Sequence, residues 1–76
     1  MPTLDQVSPG GRCRIESLTG PPALVQRLYE LGVMEGESVI VVGRAPLGDP
    51  IEIETCLSRL SLRRSEAAQV QVVTAD

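Results

Sequence analysis

Turn-forming clusters of proline and glycine divide the first 50 residues of this 76-residue chain into segments that are too short for long helices or long strands. Proline removes a backbone donor and glycine permits positive φ, so such clusters end regular structure. Each segment between the clusters has room for one strand or one short helix. Because the chain is about half the length of a typical domain, we predict a single domain over residues 1–76. The four clusters lie at residues 5–11, 19–22, 34–37 and 46–50.

Alternation of apolar and polar residues predicts strands between these turns. Cys13 and Ile15, for example, fall on one face of their segment, and arginine and glutamate fall on the other. Five short strands in so small a chain predict a mainly β fold, a small closed barrel in which pairing removes the exposed edges. The predicted strands lie at residues 12–18, 38–45, 51–55, 60–62 and 70–73.

One amphipathic helix of about three turns is predicted after the proline pair, because proline suits the first helical position. Gly32 suits the position just after its end. A second, short helical turn is predicted at residues 63–68, with Ser65 as its N-cap. Four apolar residues recur at helical spacing on one side of the first helix: Leu24, Val25, Leu28 and Leu31.

The apolar residues predict an aliphatic core of modest stability. Nine Leu, nine Val and four Ile supply nearly all of the apolar bulk, and Tyr29 is the only aromatic residue. A domain of this size buries only about 60% of its unfolded surface, so we expect a stability of a few kcal/mol.

The ionisable residues argue against catalysis and against nucleic acid as a partner. Seven Arg and no Lys stand against ten carboxylates, for a net charge of −3, which is the wrong sign for binding a phosphate backbone. No His is present to shuttle protons near neutral pH or to bind a metal. The chain is therefore predicted not to be an enzyme.

Cys13 and Cys56 are too few for a disulfide scaffold and lack metal-ligand spacing, which favours a reducing compartment. Cys13 shares the parity of Ile15 and is predicted to pack in the core. No apolar run is long enough for a signal peptide or a membrane span. We therefore expect a cytoplasmic protein without direct membrane insertion.

The turn cluster at residues 46–50, the hairpin loop, is the most distinctive segment. Two prolines restrict its backbone, Gly48 and Asp49 provide a tight reversal, and Leu47 is displayed at the tip. A stiff tip loses little entropy when it docks, although the same residues could serve only to set the hairpin geometry. If Ala45 lies opposite Ile51, then Arg44 lies opposite Glu52 on the outer face and forms an exposed pair.

Ile40 and Val42 have the opposite parity to their neighbours Val39 and Val41 and are predicted to face outward. Either the helix or another molecule must then cover them. Together with the hairpin loop they form the predicted partner-binding surface: Ile40, Val42, Pro46, Leu47, Gly48, Asp49 and Pro50.

Two other groups of residues leave alternatives open. Glu52, Glu54 and Cys56 share the outward face of their strand, but residues two apart lie about 6.6 Å from each other, so no metal site and no cofactor are predicted. An arginine cluster could bind phosphate groups, but its members can equally pair with the carboxylates. The cluster comprises Arg59, Arg63 and Arg64, with Arg12 and Arg14 as further members.

Three motifs stand in a specific order: RLYELG at residues 27–32, APLGDPI at 45–51 and LSLRRSEA at 60–67. With V-x-V at residues 70–72, they closely resemble the FeoA family of ferrous iron transport proteins over roughly residues 24–73. The resemblance implies an SH3-like barrel in the cytoplasm that works with FeoB, a membrane permease for Fe²⁺ with a cytoplasmic GTPase domain.

That resemblance implies an accessory or regulatory protein of ferrous iron uptake that acts by protein–protein contact. A metal-binding or metal-sensing SH3-like module and a small-barrel nucleic-acid binder stand as alternatives, and a homo-oligomer is open. With one tyrosine, the chain cannot build the aromatic groove that binds polyproline peptides, so an aliphatic surface that accepts a helix or loop is expected.

Overall fold

Five strands form where apolar and polar residues alternate, in the computed structural model, which describes residues 2–74. All neighbouring strands are antiparallel and follow the order β4-β3-β2-β1-β5. The prediction of a mainly β fold with five strands is confirmed. The strands are β1 (Arg12–Leu18), β2 (Ser38–Arg44), β3 (Ile51–Glu54), β4 (Arg59–Leu62) and β5 (Val70–Thr74).

The first helix, α1 (Pro22–Glu30), begins and ends as the sequence predicts. Gly32 has φ of +90°, and its N–H donates to the Tyr29 carbonyl at 3.0 Å. The N–H of Val33 donates to the Leu28 carbonyl at 2.9 Å, which completes a Schellman motif. The predicted helical turn is α2 (Arg64–Ala67), and a 3-10 turn at Leu4–Gln6 is additional.

The buried core is aliphatic, and all five strands contribute to it. The described residues extend 29 × 26 × 25 Å. Cys13 lies in this core as predicted, and burial raises the pKa of its thiol. The core comprises Leu4, Val7, Cys13, Ile15, Leu28, Val33, Val39, Val41, Ile51, Ile53, Leu62, Ala67, Val70 and Val72.

The helix contributes less to this core than its apolar spacing indicates. Leu28 is fully buried, and Leu24 is partly buried against the core. Leu31, predicted on the same face, is 36% exposed. The reason is that α1 ends at Glu30, so Leu31 is already the C-cap.

The predicted pairing of Arg44 with Glu52 is wrong because β2 contains a bulge. Val41 pairs with Ile53, but Gly43 rather than Val42 is opposite Glu52. The extra residue shifts the register by one, and a shift of one residue reverses the face of a side chain. Arg44 is therefore opposite Ile51.

Arg44 consequently points toward the N-terminal segment. Its Nη2 donates to the carbonyl oxygens of Asp5 at 2.6 Å and Val7 at 2.8 Å. These bonds hold the 3-10 turn against the hairpin.

The barrel is not closed by hydrogen bonds between β4 and β5, which are the two edges of the strand order. The expectation of full closure is corrected, because another segment occupies the outer side of β5. The N–H of Val72 donates to the Pro2 carbonyl at 3.0 Å, and Thr3 bridges to Gln71. The N-terminal residues thus cover that edge.

The N-cap of α2 is Arg63, and the prediction of Ser65 is wrong. Glu66 has the third helical position, and its carboxylate accepts a bond from the Arg63 N–H at 2.9 Å. The same carboxylate, only 8% exposed as a residue, pairs with the guanidinium of Arg27 on α1. Glu66 therefore joins the two helices.

We expect Leu28→Ala to lower the free energy of unfolding by about 2–5 kcal/mol, since it empties a buried site between helix and sheet. That loss is comparable to the total stability expected for the domain. Urea denaturation measures it. Leu47→Ala, at a side chain that is 93% exposed, is the matched control and should change stability by less than about 0.5 kcal/mol. Similar effects at both sites would contradict the docked position of α1.

We expect Glu66→Ala to cost about 1–3 kcal/mol, mainly through the lost cap of α2. Arg27 is 57% exposed in its side chain and can regain water, so its pairing with Glu66 contributes little. A double-mutant cycle of Glu66→Ala with Arg27→Ala should give a coupling free energy below about 1 kcal/mol. A larger coupling would place the stability in the ion pair instead of the cap.

Candidate functional site

The hairpin loop is a rigid turn that displays one leucine. Ala45 donates its N–H to the Pro50 carbonyl at 3.1 Å, and Gly48 donates to the Ala45 carbonyl at 2.7 Å. Gly48 has φ of +84°, a conformation that side chains rarely adopt. Leu47 at the tip is 93% exposed. The backbone bonds of the loop thus hold an apolar side chain in water.

A second element fixes the loop from the side. The Asp49 carboxylate accepts a hydrogen bond from the Arg64 N–H at the start of α2, at 3.0 Å. An acidic side chain at this position satisfies an amide that the helix leaves unpaired. An open depression lies beside the tip, lined by Leu47, Asp49, Pro50 and Arg63.

Ile40 and Val42 lie apart from this loop. Ile40 pairs with Glu54, near the end of the hairpin opposite the loop, and is partly buried. It lines a separate depression with residues of β1, β2, β3 and the β3–β4 connection. Val42 is the unpaired residue of the bulge. The lining residues of that depression are Arg12, Ser38, Ile40, Glu54, Thr55 and Cys56. The structure therefore brings the loop residues together but separates them from Ile40.

The three residues considered for a metal do not converge. Glu54 accepts a bond from Arg59 Nη2 at 3.1 Å, and Cys56 Sγ donates to Glu37 Oε2 at 3.6 Å. Glu52 lines a different depression, next to Ser61. Across residues 2–74, no three His, Cys, Asp or Glu side chains are grouped closely enough to hold a metal ion.

Three arginines are engaged with other groups of the protein. Arg59 pairs with Glu54 across β3 and β4, and Arg27 pairs with Glu66. Arg44 donates hydrogen bonds to backbone carbonyls, and Arg63 borders the hairpin loop. The expectation that arginines pair with carboxylates holds for Arg59.

Sequence reasoning missed a group of exposed apolar side chains at the other end of the hairpin. Tyr29 is 40% exposed, Leu31 36%, Met34 38% and Leu57 78%. One signal could have found this group, because Leu57 is a single apolar residue in an otherwise polar connection between strands.

A small β domain with a rigid, displayed apolar loop has the features of a protein-interaction domain, with function carried by sites on its surface. The FeoA domain family matches residues 3–74. The chain therefore belongs to the FeoA family, a family of small accessory domains associated with ferrous iron transport.

Among curated proteins, the chain is similar to part of a fusion protein. This is the Fe(2+) transport protein A/Fe(2+) transporter FeoB fusion protein of Porphyromonas gingivalis, 32% identical over 69 residues. The match covers 91% of this chain and 8% of that protein. The chain thus spans less than a tenth of the length of this relative.

Two solved structures are similar over nearly the whole chain. The solution structure of FeoA from Chlorobium tepidum is 35% identical with a TM-score of 0.92, covering 99% of this chain and 71% of that one. The crystal structure of Stenotrophomonas maltophilia FeoA complexed with zinc is 32% identical with a TM-score of 0.83, covering 96% and 91%. The latter is described as a prokaryotic SH3 domain protein, so the SH3-like fold is confirmed.

Neither helix of the described segment has the length and apolar character needed to cross a membrane.

We expect a chelator to leave the thermal midpoint of the purified protein unchanged, because Glu52, Glu54 and Cys56 are held apart by the strand and by other partners. Differential scanning fluorimetry with and without excess EDTA measures this. Adding Fe²⁺ or Zn²⁺ to the chelated sample is the control. A drop of several degrees that either ion reverses would contradict the prediction.

Proposed function

We propose that this protein is a cytosolic accessory factor of bacterial ferrous iron uptake that acts by binding the cytosolic GTPase region of a FeoB-like permease. It works by contact and not by catalysis. The observation that carries the proposal is the exposure of Leu47 on a loop whose backbone is already fixed.

The energetic argument concerns the cost of ordering a loop on binding. Immobilising flexible residues opposes association, and a loop that is rigid beforehand avoids most of that cost. Here two backbone hydrogen bonds and the Asp49–Arg64 contact hold the loop in the free protein. Burying the exposed Leu47 side chain would then contribute about 1.5–3 kcal/mol to binding.

The fusion relative supports the identity of the partner. In Porphyromonas gingivalis an FeoA-like segment and an FeoB transporter share one polypeptide. Joining two domains in one polypeptide gives each domain a high effective concentration near the other, so a fusion strengthens a weak contact between them. For a separate chain, the interface itself must supply that affinity.

The proposed contact surface is centred on the hairpin loop, and a partner that spans the length of the hairpin would also reach Val42 and Ile40, which lie apart from the loop on β2. Ile40 and Val42 are both partly buried, so they would add contact area at the border and contribute less to the binding free energy than Leu47. Arg63 beside the loop offers a cation to a carboxylate of the partner.

We expect Leu47→Asp to weaken binding to the cytosolic region of the permease by about 2 kcal/mol, or about 30-fold in Kd, because a carboxylate would have to be desolvated in an apolar contact. Its free energy of unfolding should change by less than about 0.5 kcal/mol, since the side chain is 93% exposed. Isothermal titration calorimetry and urea denaturation separate the two effects.

Val73→Asp is the matched control, because it places the same charge on an exposed apolar residue of β5. It should bind like the wild type. If Leu47→Asp folds and binds equally well, the hairpin loop is not the contact surface. If the wild-type protein does not bind the cytosolic region at all, the proposed function is wrong.

A further inference from the structure

An exposed apolar surface lies at the end of the β2–β3 hairpin that is opposite the loop. Its apolar members come from the end of α1, the following turn and the β3–β4 connection. We call it the acid-rimmed face, with apolar residues Tyr29, Leu31, Met34 and Leu57 and carboxylates Glu30, Glu35 and Glu37.

Three contacts show that these segments adjoin one another. A Cβ placed on Gly32 would lie 3.4 Å from Leu57 Cδ1, so Leu57 lies over the end of α1. The Tyr29 hydroxyl donates to Glu35 Oε2 at 2.9 Å. Cys56 Sγ, one residue before Leu57, is 3.6 Å from Glu37 Oε2. Leu57, the end of α1, Glu35 and Glu37 therefore adjoin on one surface, and Glu30, Leu31 and Met34 are exposed next to these residues in the chain.

The charge of this surface is negative. Between Arg27 and Arg44 the chain contains three glutamates and no cationic residue. Arg27 is paired with Glu66, and Arg59, two residues after Leu57, is paired with Glu54. Arg12 lines the neighbouring depression with Ile40, and Arg14 is opposite Ser38 on the adjoining strand β1. The hydrogen bond to the Glu35 carboxylate raises the pKa of Tyr29, with smaller contributions from desolvation and from the charge of Glu35.

The charge also decides which occupant fits. A second copy that used the same face would bring the three carboxylates of each copy together, and anionic lipid headgroups or nucleic acid would be repelled in the same way. A segment with apolar side chains flanked by Lys or Arg matches both parts of the surface. Such segments bind as amphipathic helices in apolar grooves and on apolar faces.

We propose that the acid-rimmed face is a docking site for a cationic amphipathic segment of a partner protein. This site is distinct from the hairpin loop, and it does not depend on the identity of the permease as partner.

The probe is a synthetic peptide of 18 residues with leucines on one face of a helix and arginines on the other, about 27 Å long and thus comparable to the domain. A second peptide keeps the leucines and has glutamate in place of arginine. Each is titrated into ¹⁵N-labelled protein, and amide shifts are followed. We expect the arginine peptide to shift residues 29–37 and 56–58, with Kd rising about tenfold between 50 and 300 mM NaCl.

Variants separate the apolar contribution from the charge. Leu57→Ser should weaken binding at least about fivefold, since it removes the most exposed apolar side chain of the face. The double variant Glu35→Gln, Glu37→Gln should weaken binding and flatten its salt dependence. Val73→Ser, which removes an exposed apolar side chain from β5, is the matched control and should bind like the wild type.

Four results would overturn the inference: amide shifts outside the face, equal binding of the glutamate peptide, dilution-dependent shifts that reveal a second copy on the face, or shifts of the same amides caused by phosphatidylglycerol vesicles and not by the arginine peptide. None of these results depends on the permease, so the inference and the proposed function can fail independently.

Discussion

Arg44 determines how the β2–β3 hairpin sits on the rest of the domain. Its guanidinium binds the carbonyls of Asp5 and Val7, which lie 39 and 37 residues earlier in the chain. Its buried Nε has no hydrogen-bond partner among the described residues, at a cost of about 1–3 kcal/mol. Two charge-assisted bonds of about 1.5–3 kcal/mol each outweigh that cost. The bulge at Val42 is tolerated because it turns Arg44 toward these acceptors.

The candidate site depends on the same geometry. Arg44 is directed to the N-terminal segment, and β3 begins opposite it at Ile51. The chain must therefore reverse direction within the residues between Arg44 and Ile51, which include the hairpin loop. Asp49 then reaches the start of α2, and Leu47 remains in water. The exposure of Leu47 is thus a consequence of long-range contacts as well as of proline and glycine in the loop.

The sequence predicted those features that depend on neighbouring residues. The inward faces of Cys13 and Ile15 follow from alternation, and the end of α1 at Gly32 follows from local backbone geometry. The predictions failed where contacts with distant segments of the chain determine the local structure. The bulge depends on acceptors near the N-terminus, and the cap of α2 depends on Glu66, whose carboxylate is held by Arg27 from another helix. No local pattern reveals such partners.

The predicted partner-binding surface is split between the hairpin loop and the other end of the hairpin for a related reason. Parity along β2 identifies Ile40 as outward-facing but says nothing about which end of the hairpin it joins. The hairpin is short, since β3 has four residues and spans roughly 10 Å. Leu47 and Leu57 therefore lie at opposite ends of a rigid element, close enough for one large partner to contact both and separate enough for two partners to bind together. The Asp49 carboxylate beside the loop is bound by the Arg64 N–H, which leaves Arg63 as the charge next to Leu47, whereas carboxylates surround Leu57. If both proposed surfaces bind partners, we expect these partners to carry opposite charges.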